Sequence, residues 1–161
     1  NRAFRELDKI KSSVVWWSAG AQPPQLLASG EVAMSTVYNG RIFNAQMVDK
    51  QPLKIMWDGE YLDFDLFVIP KGAPHEKEAL QYIKFATDTK QLAAQASWIS
   101  YGPARRSSAA LVGDYHGTKI KMAPYMPTDP TNMKGSLTTN FAFWADNGTT
   151  LAERFNAWLA K

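Results

Sequence analysis

Residues 58–70 read DGEYLDFDLFVIP, an apolar and aromatic run that carries two carboxylates, Asp63 and Asp65. The aromatic, β-branched and leucine side chains predict a strand over 61–69, closed by Pro70, Lys71 and Gly72. Alternation along a strand puts Tyr61, Asp63, Asp65 and Phe67 on one face and Leu62, Phe64, Leu66 and Val68 on the other. The second face is expected to be core. The first is an acidic and aromatic strip, and a carboxylate beside apolar rings loses solvation unless a cation, a donor or a metal compensates it. We read it as one wall of a site for a positively charged group. A solvated strand end or a lysine partner would account for either acid taken singly; the pair with its flanking rings favours a site.

Upstream of this run, Phe4, Leu7 and Ile10 fall at helical spacing over 1–11. VVWW at 14–17 has the character of a short buried strand, and Pro23 and Pro24 suit the first turn of a short helix through Leu27. EVAMSTV at 31–37 and LKIMW at 53–57 read as two more strands, with a helix over 41–47 between them. Tyr38, Asn39 and Gly40 stand at the strand-to-helix transition, where α/β proteins commonly place sites. Tyr38 is therefore a candidate, although a lone tyrosine is more often half-buried with a wet hydroxyl.

Downstream, Ala79, Leu80, Ile83 and Ala86 predict a helix over 76–87, with Glu76 and Glu78 suiting its dipole. Asp88 or Thr89 caps a second helix through Ile99. SYGP at 100–103 stops the pair and leaves Tyr101 on a restricted loop; Arg105 and Arg106 open a short segment ending near Val112. Residues 113–134 are interrupted by Pro124, Pro127 and Pro130 and read as loop, with one helical turn around 119–123. Leu151, Phe155, Trp158 and Leu159 define a last helix, which Thr150 and Glu153 would open as a capping box. Trp158 is assigned to packing, whereas Trp144 lies at or before that helix start, where it can face a cleft. The succession of strands and helices predicts an α/β layer structure.

With 18 Lys and Arg against 15 Asp and Glu the net charge is +3, and the basic residues are scattered. No arginine-rich helix or phosphate-cradling glycine loop accompanies them, so nucleic acid is not an expected partner. The chain has no cysteine, which excludes disulfides and thiolate metal sites. No apolar run approaches the roughly 20 residues that span a bilayer. Because the chain enters a helical pattern directly at Asn1, sequence upstream of it is expected.

Taken together, EVAMSTVYNG (31–40), LDFDLFVIPKGAPHEKEALQYIKFAT (62–87), SYGP (100–103), FWADNG (143–148) and ERFNAWL (153–159) resemble the solute-binding proteins of ABC importers, and among them the polyamine branch of spermidine and putrescine receptors. The resemblance covers nearly the whole chain. It implies a type II periplasmic-binding-protein lobe, a mixed sheet flanked by helices, as part of an incomplete two-lobed fold. Residues 1–62 and 104–161 would form the second lobe, and 63–103 a hinge-crossing strand and helix pair belonging to the first, most of which is not present. Tyr38 stands where these receptors place an aromatic ring, Asp65 matches the carboxylate that pairs with a ligand ammonium, and Tyr101 matches an aromatic site residue. Asp63 falls where an aromatic is common, a departure that removes a ring and adds a charge partner; Trp144 lies near a late contact. An ammonium over an aromatic face gains about 0.5 to 2 kcal/mol, so several rings with one or two acids make a selective cage.

By the same resemblance the precursor carries a signal peptide, the protein acts in the periplasm or as a lipid-anchored extracellular equivalent, it works as a monomer with an ABC permease, and it needs no cofactor or metal. Arg105, after the YGP turn, can hold a carboxylate, which would favour a zwitterion such as an ω-amino acid over a diamine; a solvated arginine at a helix start is the plainer reading. A different class is a hydrolase using Asp63 and Asp65 as acid and base, since same-face strand neighbours lie roughly 6 to 7 Å apart. Neither His75 nor His116 has a neighbour suggesting a triad or metal site. An iron carrier would favour adjacent tyrosines, and none occurs.

Overall fold

The computed structural model describes residues 2–161; Asn1, which opens both the helix expected over 1–11 and the range 1–62, lies outside them. Seven helices and two very short strands are formed among the described residues: α1 (Arg2–Asp8), α2 (Gln22–Ala28), α3 (Asn39–Met47), β1 (Tyr61–Leu62), α4 (Glu76–Ala86), α5 (Thr89–Gln95), α6 (Arg106–Ala109), β2 (Leu137–Thr138) and α7 (Phe141–Leu159). Single turns of 3-10 helix sit at Lys11–Ser13 and Ala123–Tyr125. The two strands pair in parallel, Tyr61 opposite Leu137 and Leu62 opposite Thr138.

The helices follow their sequence signals. Prolines fill the first turn of α2, whose fixed φ suits that position. Glu76 and Glu78 lie in the first turn of α4 and Lys84 in its last, each placed favourably for the helix dipole. The Asp88 carboxylate accepts from the Lys90 amide at 2.9 Å and caps α5. For α7 the expected start was wrong by about three turns. Asn140 caps the helix, its Oδ1 accepting from the Phe143 amide at 3.0 Å. Thr150 and Glu153 therefore lie inside α7 and form no capping box, and Trp144 sits in its opening turns. A nearer cap with a free amide to satisfy took precedence over the later motif.

The strands did not follow theirs. Of the run expected over 61–69 only Tyr61–Leu62 enters a ladder, and 14–17, 31–37 and 53–57 enter none. The face expected to be core, Leu62, Phe64, Leu66 and Val68, is largely open: Leu66 is 70% exposed and Val68 77%. The residues have strand chemistry, but strand pairing needs neighbours, and β2 ends where Asn140 turns the chain into α7.

The best-buried core lies elsewhere. Phe43 of α3 is completely enclosed and packs with Ala96, Met122 and Met126, flanked by Met47, Val112, Tyr115 and Tyr125. The Phe43 ring meets Tyr115 edge-on at 5.2 Å and Tyr125 at 5.1 Å. The proline-rich region thus supplies much of this core. It is held by the buried Asn132 side chain, which donates to the Pro124 carbonyl at 3.0 Å and the Met126 carbonyl at 2.8 Å, and by an isolated antiparallel bridge between Asp114 and Lys121. Ala96, after α5, joins the helix pair to this cluster.

A second aromatic cluster ties α1 to α7. Trp158 packs against Phe4, Trp16 and Phe155, and its indole Nε1 donates to Asp8 Oδ1 at 2.6 Å. Lys11 lies 4.4 Å over the Trp158 ring and donates to its carbonyl, so Trp158 is occupied in packing as its helical position implied.

Candidate functional site

The candidate residues fall into two groups. In the first, the turn before α3 meets the loop after α5. Tyr38 is the N-cap residue of α3, with extended backbone and no side-chain capping bond, and its ring is 58% exposed. The adjacent Asn39 reaches across to donate its side-chain amide to the Ser100 carbonyl at 2.5 Å and, more weakly, to the Ser100 hydroxyl at 3.4 Å. Ser100 is fully buried, so this bond satisfies a carbonyl that water does not reach. Next to it, a Cβ on Gly40 would lie 2.8 Å from the Tyr101 ring. Only glycine lets the two loops come this close. Tyr38 and Tyr101 are thereby fixed on either side of one interlocked pair of turns, both partly open to solvent.

Two further residues belong to this group and were not singled out from the sequence. Trp17 meets the Tyr38 ring edge-on at 6.0 Å, and a Cβ at Gly20 would press into the same ring at 2.8 Å. Arg41 stands in the first turn of α3, its amide bonded to the Tyr38 carbonyl at 2.9 Å. Its side chain is exposed and makes no hydrogen bond or ion pair among the described residues. The signal was legible: YNGR runs 38–41 without a break, so a ring and a cation share one helix start.

The second group forms around β1 and β2. Trp144 donates its indole N–H to the Tyr61 hydroxyl at 3.0 Å. Asp63 Oδ1 accepts from the Thr139 hydroxyl at 2.8 Å and from the Phe64 amide at 2.9 Å. Phe64 in turn leans on Phe141 at 6.0 Å. Tyr61, Asp63 and Trp144 are therefore assembled on the β2–α7 junction. Asp65 is exposed and has no hydrogen bond or ion pair among the described residues. Beside them, burial raises the pKa of Glu60 above the ordinary carboxylate value, and its Oε1 has no hydrogen-bond partner among the described residues.

Arg105 is placed differently from the rest. It is the N-cap residue of α6, and its Nε donates to the Thr87 carbonyl at 2.5 Å, at the C-terminal end of α4. That is a favourable position for a cation. His116 stacks on Trp98 with ring centroids 3.6 Å apart. Among the described residues no group of three His, Cys, Asp or Glu side chains could hold a metal ion, and no helix is long and apolar enough to cross a membrane.

Exposed rings, together with a carboxylate (Asp65) and a guanidinium (Arg41) that have no hydrogen bond or ion pair among the described residues, are groups of the kind that contact a small charged organic molecule. The family model described as bacterial extracellular solute-binding protein matches residues 1–128, and the chain belongs to that family. It is 38% identical over its whole length to the gamma-aminobutyric acid-binding protein of Pseudomonas aeruginosa, covering 44% of that protein. Among solved structures it is similar to a GABA receptor (29% identity, TM-score 0.76, 99% of this chain and 47% of that one). It is also similar to an ABC transporter substrate-binding protein from Bradyrhizobium japonicum (27%, TM-score 0.80, 98% and 48%). A third is a binding protein from A. tumefaciens R10 in complex with agropinic acid (26%, TM-score 0.75, 99% and 48%). The fold is thus an α/β portion of a periplasmic binding protein, and the chain spans about half the length of these relatives.

Proposed function

We propose that this chain forms part of the receptor of an ABC importer and that its ligand is a small zwitterionic amino compound of the ω-amino-acid class. The observation that carries the ligand class is the 38% identity, over the full chain, to a protein named for binding gamma-aminobutyric acid. The residues support it. A zwitterion needs a cation for its carboxylate and an acid for its ammonium. Arg41, one helical turn from Tyr38, is better situated for the first than Arg105, whose guanidinium is already engaged at Thr87. Asp65 is the acid with its valence open, while Asp63 is taken up by Thr139 and Phe64. Tyr38, Tyr101 and Trp144 supply the rings.

The polyamine reading rests on the Asp63 and Asp65 pair as the sequence presents it, two acids for two ammonium groups, of which the structure leaves Asp65 open. In either case the protein closes over its ligand and hands it to a permease, acts outside the cytoplasm and works as a monomer. The division into 1–62 with 104–161 and 63–103 belongs to this proposal, the helix pair joining the other range through Ala96. The test is isothermal titration of a two-lobed receptor carrying this chain against gamma-aminobutyric acid, putrescine and spermidine. Heat with the amino acid alone supports the proposal, and heat with the diamine or triamine alone replaces it with the polyamine reading. Silence with every amine removes the receptor reading. A hydrolase acting through Asp63 and Asp65 would keep binding but lose turnover on Asp65→Asn, whereas a receptor loses affinity.

A further inference from the structure

The two tyrosines of the first group are held differently. Tyr101 lies against Gly40, inside the interlock that Asn39 and Ser100 close. The Tyr38 side chain is largely exposed and makes no hydrogen bond among the described residues. A tyrosine left in that state exchanges between staggered rotamers. Tyr38 is instead met twice by one turn, residues 17–22. Trp17 stands edge-on to it, with centroids 6.0 Å apart and planes at 71°. Three residues on, a Cβ at Gly20 would lie 2.8 Å from Cε2 and 2.9 Å from Cδ2 of the same ring. The turn has a frame of its own. The Gln22 side-chain oxygen accepts from the Ser18 and Ala19 amides, both at 2.8 Å, and the Gln22 amide donates to the Ala19 carbonyl at 2.9 Å. Gln22 also opens α2, which ties the turn to a helix. On the other side, Trp16 packs edge-on against Phe155 and Trp158 of α7, at 5.7 and 5.4 Å. The adjacent tryptophans thus divide their work: Trp16 fastens the segment to α7, and the one ring contact of Trp17 among the described residues is Tyr38.

We propose that residues 17–22 are a positioning loop for the Tyr38 ring: Trp17 and Gly20 set the plane of the ring, Gln22 sets the loop, and the loop governs ligand affinity through Tyr38. The inference rests on the reading of this chain as part of an amine receptor in which Tyr38 contacts the ligand. A ring already ordered loses less freedom when the ligand arrives, so the loop contributes affinity without contributing a contact. Gly20 is required for the ring's sake. The atoms that an added Cβ would meet belong to the Tyr38 side chain and not to backbone, so it is the ring that a larger residue displaces. Trp17 and Gly20 are accordingly positioning residues, and their effect exists only while Tyr38 is present.

The test uses a two-lobed receptor carrying this chain and has two arms. Without ligand, nuclear relaxation of an isotope-labelled Tyr38 ring should show a restricted ring in the parent and a looser one in Trp17→Leu. With gamma-aminobutyric acid, or with putrescine if that is the amine bound, titration calorimetry runs a double-mutant cycle. Trp17→Leu and Gly20→Ala should each weaken binding by roughly three- to tenfold, the size of one aromatic pair. Neither should change affinity further once Tyr38→Ala has removed the ring. Trp17→Phe, which keeps an aromatic edge, should restore most of the affinity. Equal losses with and without Tyr38 make both residues merely structural and overturn the proposal. So does a Tyr38 ring as mobile in the parent as in Trp17→Leu. A parent that binds its amine with no effect of either variant refutes the positioning role alone, whereas a parent that binds neither amine overturns the receptor reading and this inference with it.

Discussion

Phe43→Ala is the sharpest test of how the site is held. Phe43 lies two residues beyond Arg41 on α3, is completely buried, and touches two tyrosine rings edge-on together with Ala96, Met122 and Met126. Truncating a buried phenylalanine costs about 3 to 5 kcal/mol, from lost transfer energy and the cavity left behind. The aromatic pairs are part of this, at about 0.5 to 1.5 kcal/mol each. The surrounding methionines are unbranched and can partly fill the space, which places the expectation toward the lower end, about 3 kcal/mol. Against a total stability of about 5 to 15 kcal/mol that is a large fraction. At about 2 to 4 °C per kcal/mol the midpoint should fall by roughly 6 to 12 °C. Urea unfolding followed by tryptophan fluorescence reads the same change as a lower midpoint at unchanged slope. Phe43→Leu, which keeps most of the volume, should cost clearly less. A loss under about 1 kcal/mol for the alanine variant would falsify the assignment of this cluster as the main core.

Other perturbations address the site and its charges. Gly40→Ala should push Tyr101 off its position, costing about 1 to 3 kcal/mol as overpacking; a crystal structure of the variant with Tyr101 unmoved would contradict the close approach of 2.8 Å. Asn39→Ala leaves the buried Ser100 carbonyl without its donor and should cost about 1 to 3 kcal/mol, read by thermal unfolding; no change would mean that water already serves that carbonyl. Burial raises the pKa of Glu60, so the folded state favours the neutral acid. Its contribution is fully present below the unfolded value of 4.5 and is lost as pH rises through the folded value. Glu60→Gln should therefore be more stable than the parent near neutral pH and equal to it in acid, and parallel pH profiles would refute this. In a two-lobed receptor, Arg41→Met should weaken gamma-aminobutyric acid at least tenfold and spare a diamine; equal losses for both would take Arg41 out of the carboxylate role.

Helices were legible because their signals are local. Proline pairs, Asp88 before α5 and glutamates at the start of α4 act within one turn, and the structure uses each of them. Strands were not, because a β-prone run becomes a strand only against neighbours distant in sequence, and those at 31–37, 53–57 and 64–69 have none among the described residues. The proline-rich region was unreadable for the opposite reason. Its order comes from Asn132 and from Met122 and Met126 entering the core, contacts with no periodicity. At the site, the turns YNG and SYGP were recognisable, but their interlock was not: Asn39 to Ser100 joins residues 61 apart. Adjacency in YNGR aside, nothing local in the sequence distinguishes Arg41 from the other scattered basic residues; its place beside Tyr38 emerges only with the start of α3.

The two acids show what the structure adds to the spacing. Alternation makes Asp63 and Asp65 equivalent, a pair on one face. The structure separates them: Asp63 accepts from Thr139, just after β2, and so joins the two strand ends, whereas Asp65 lies past the end of that ladder with no hydrogen bond or ion pair among the described residues. A carboxylate that already accepts two hydrogen bonds gains less from an arriving ammonium than one left to water. Even two acids therefore count as nearer to one ammonium site. With Arg41 making no hydrogen bond or ion pair among the described residues, the available charges support the proposed ligand class, one positive and one negative end.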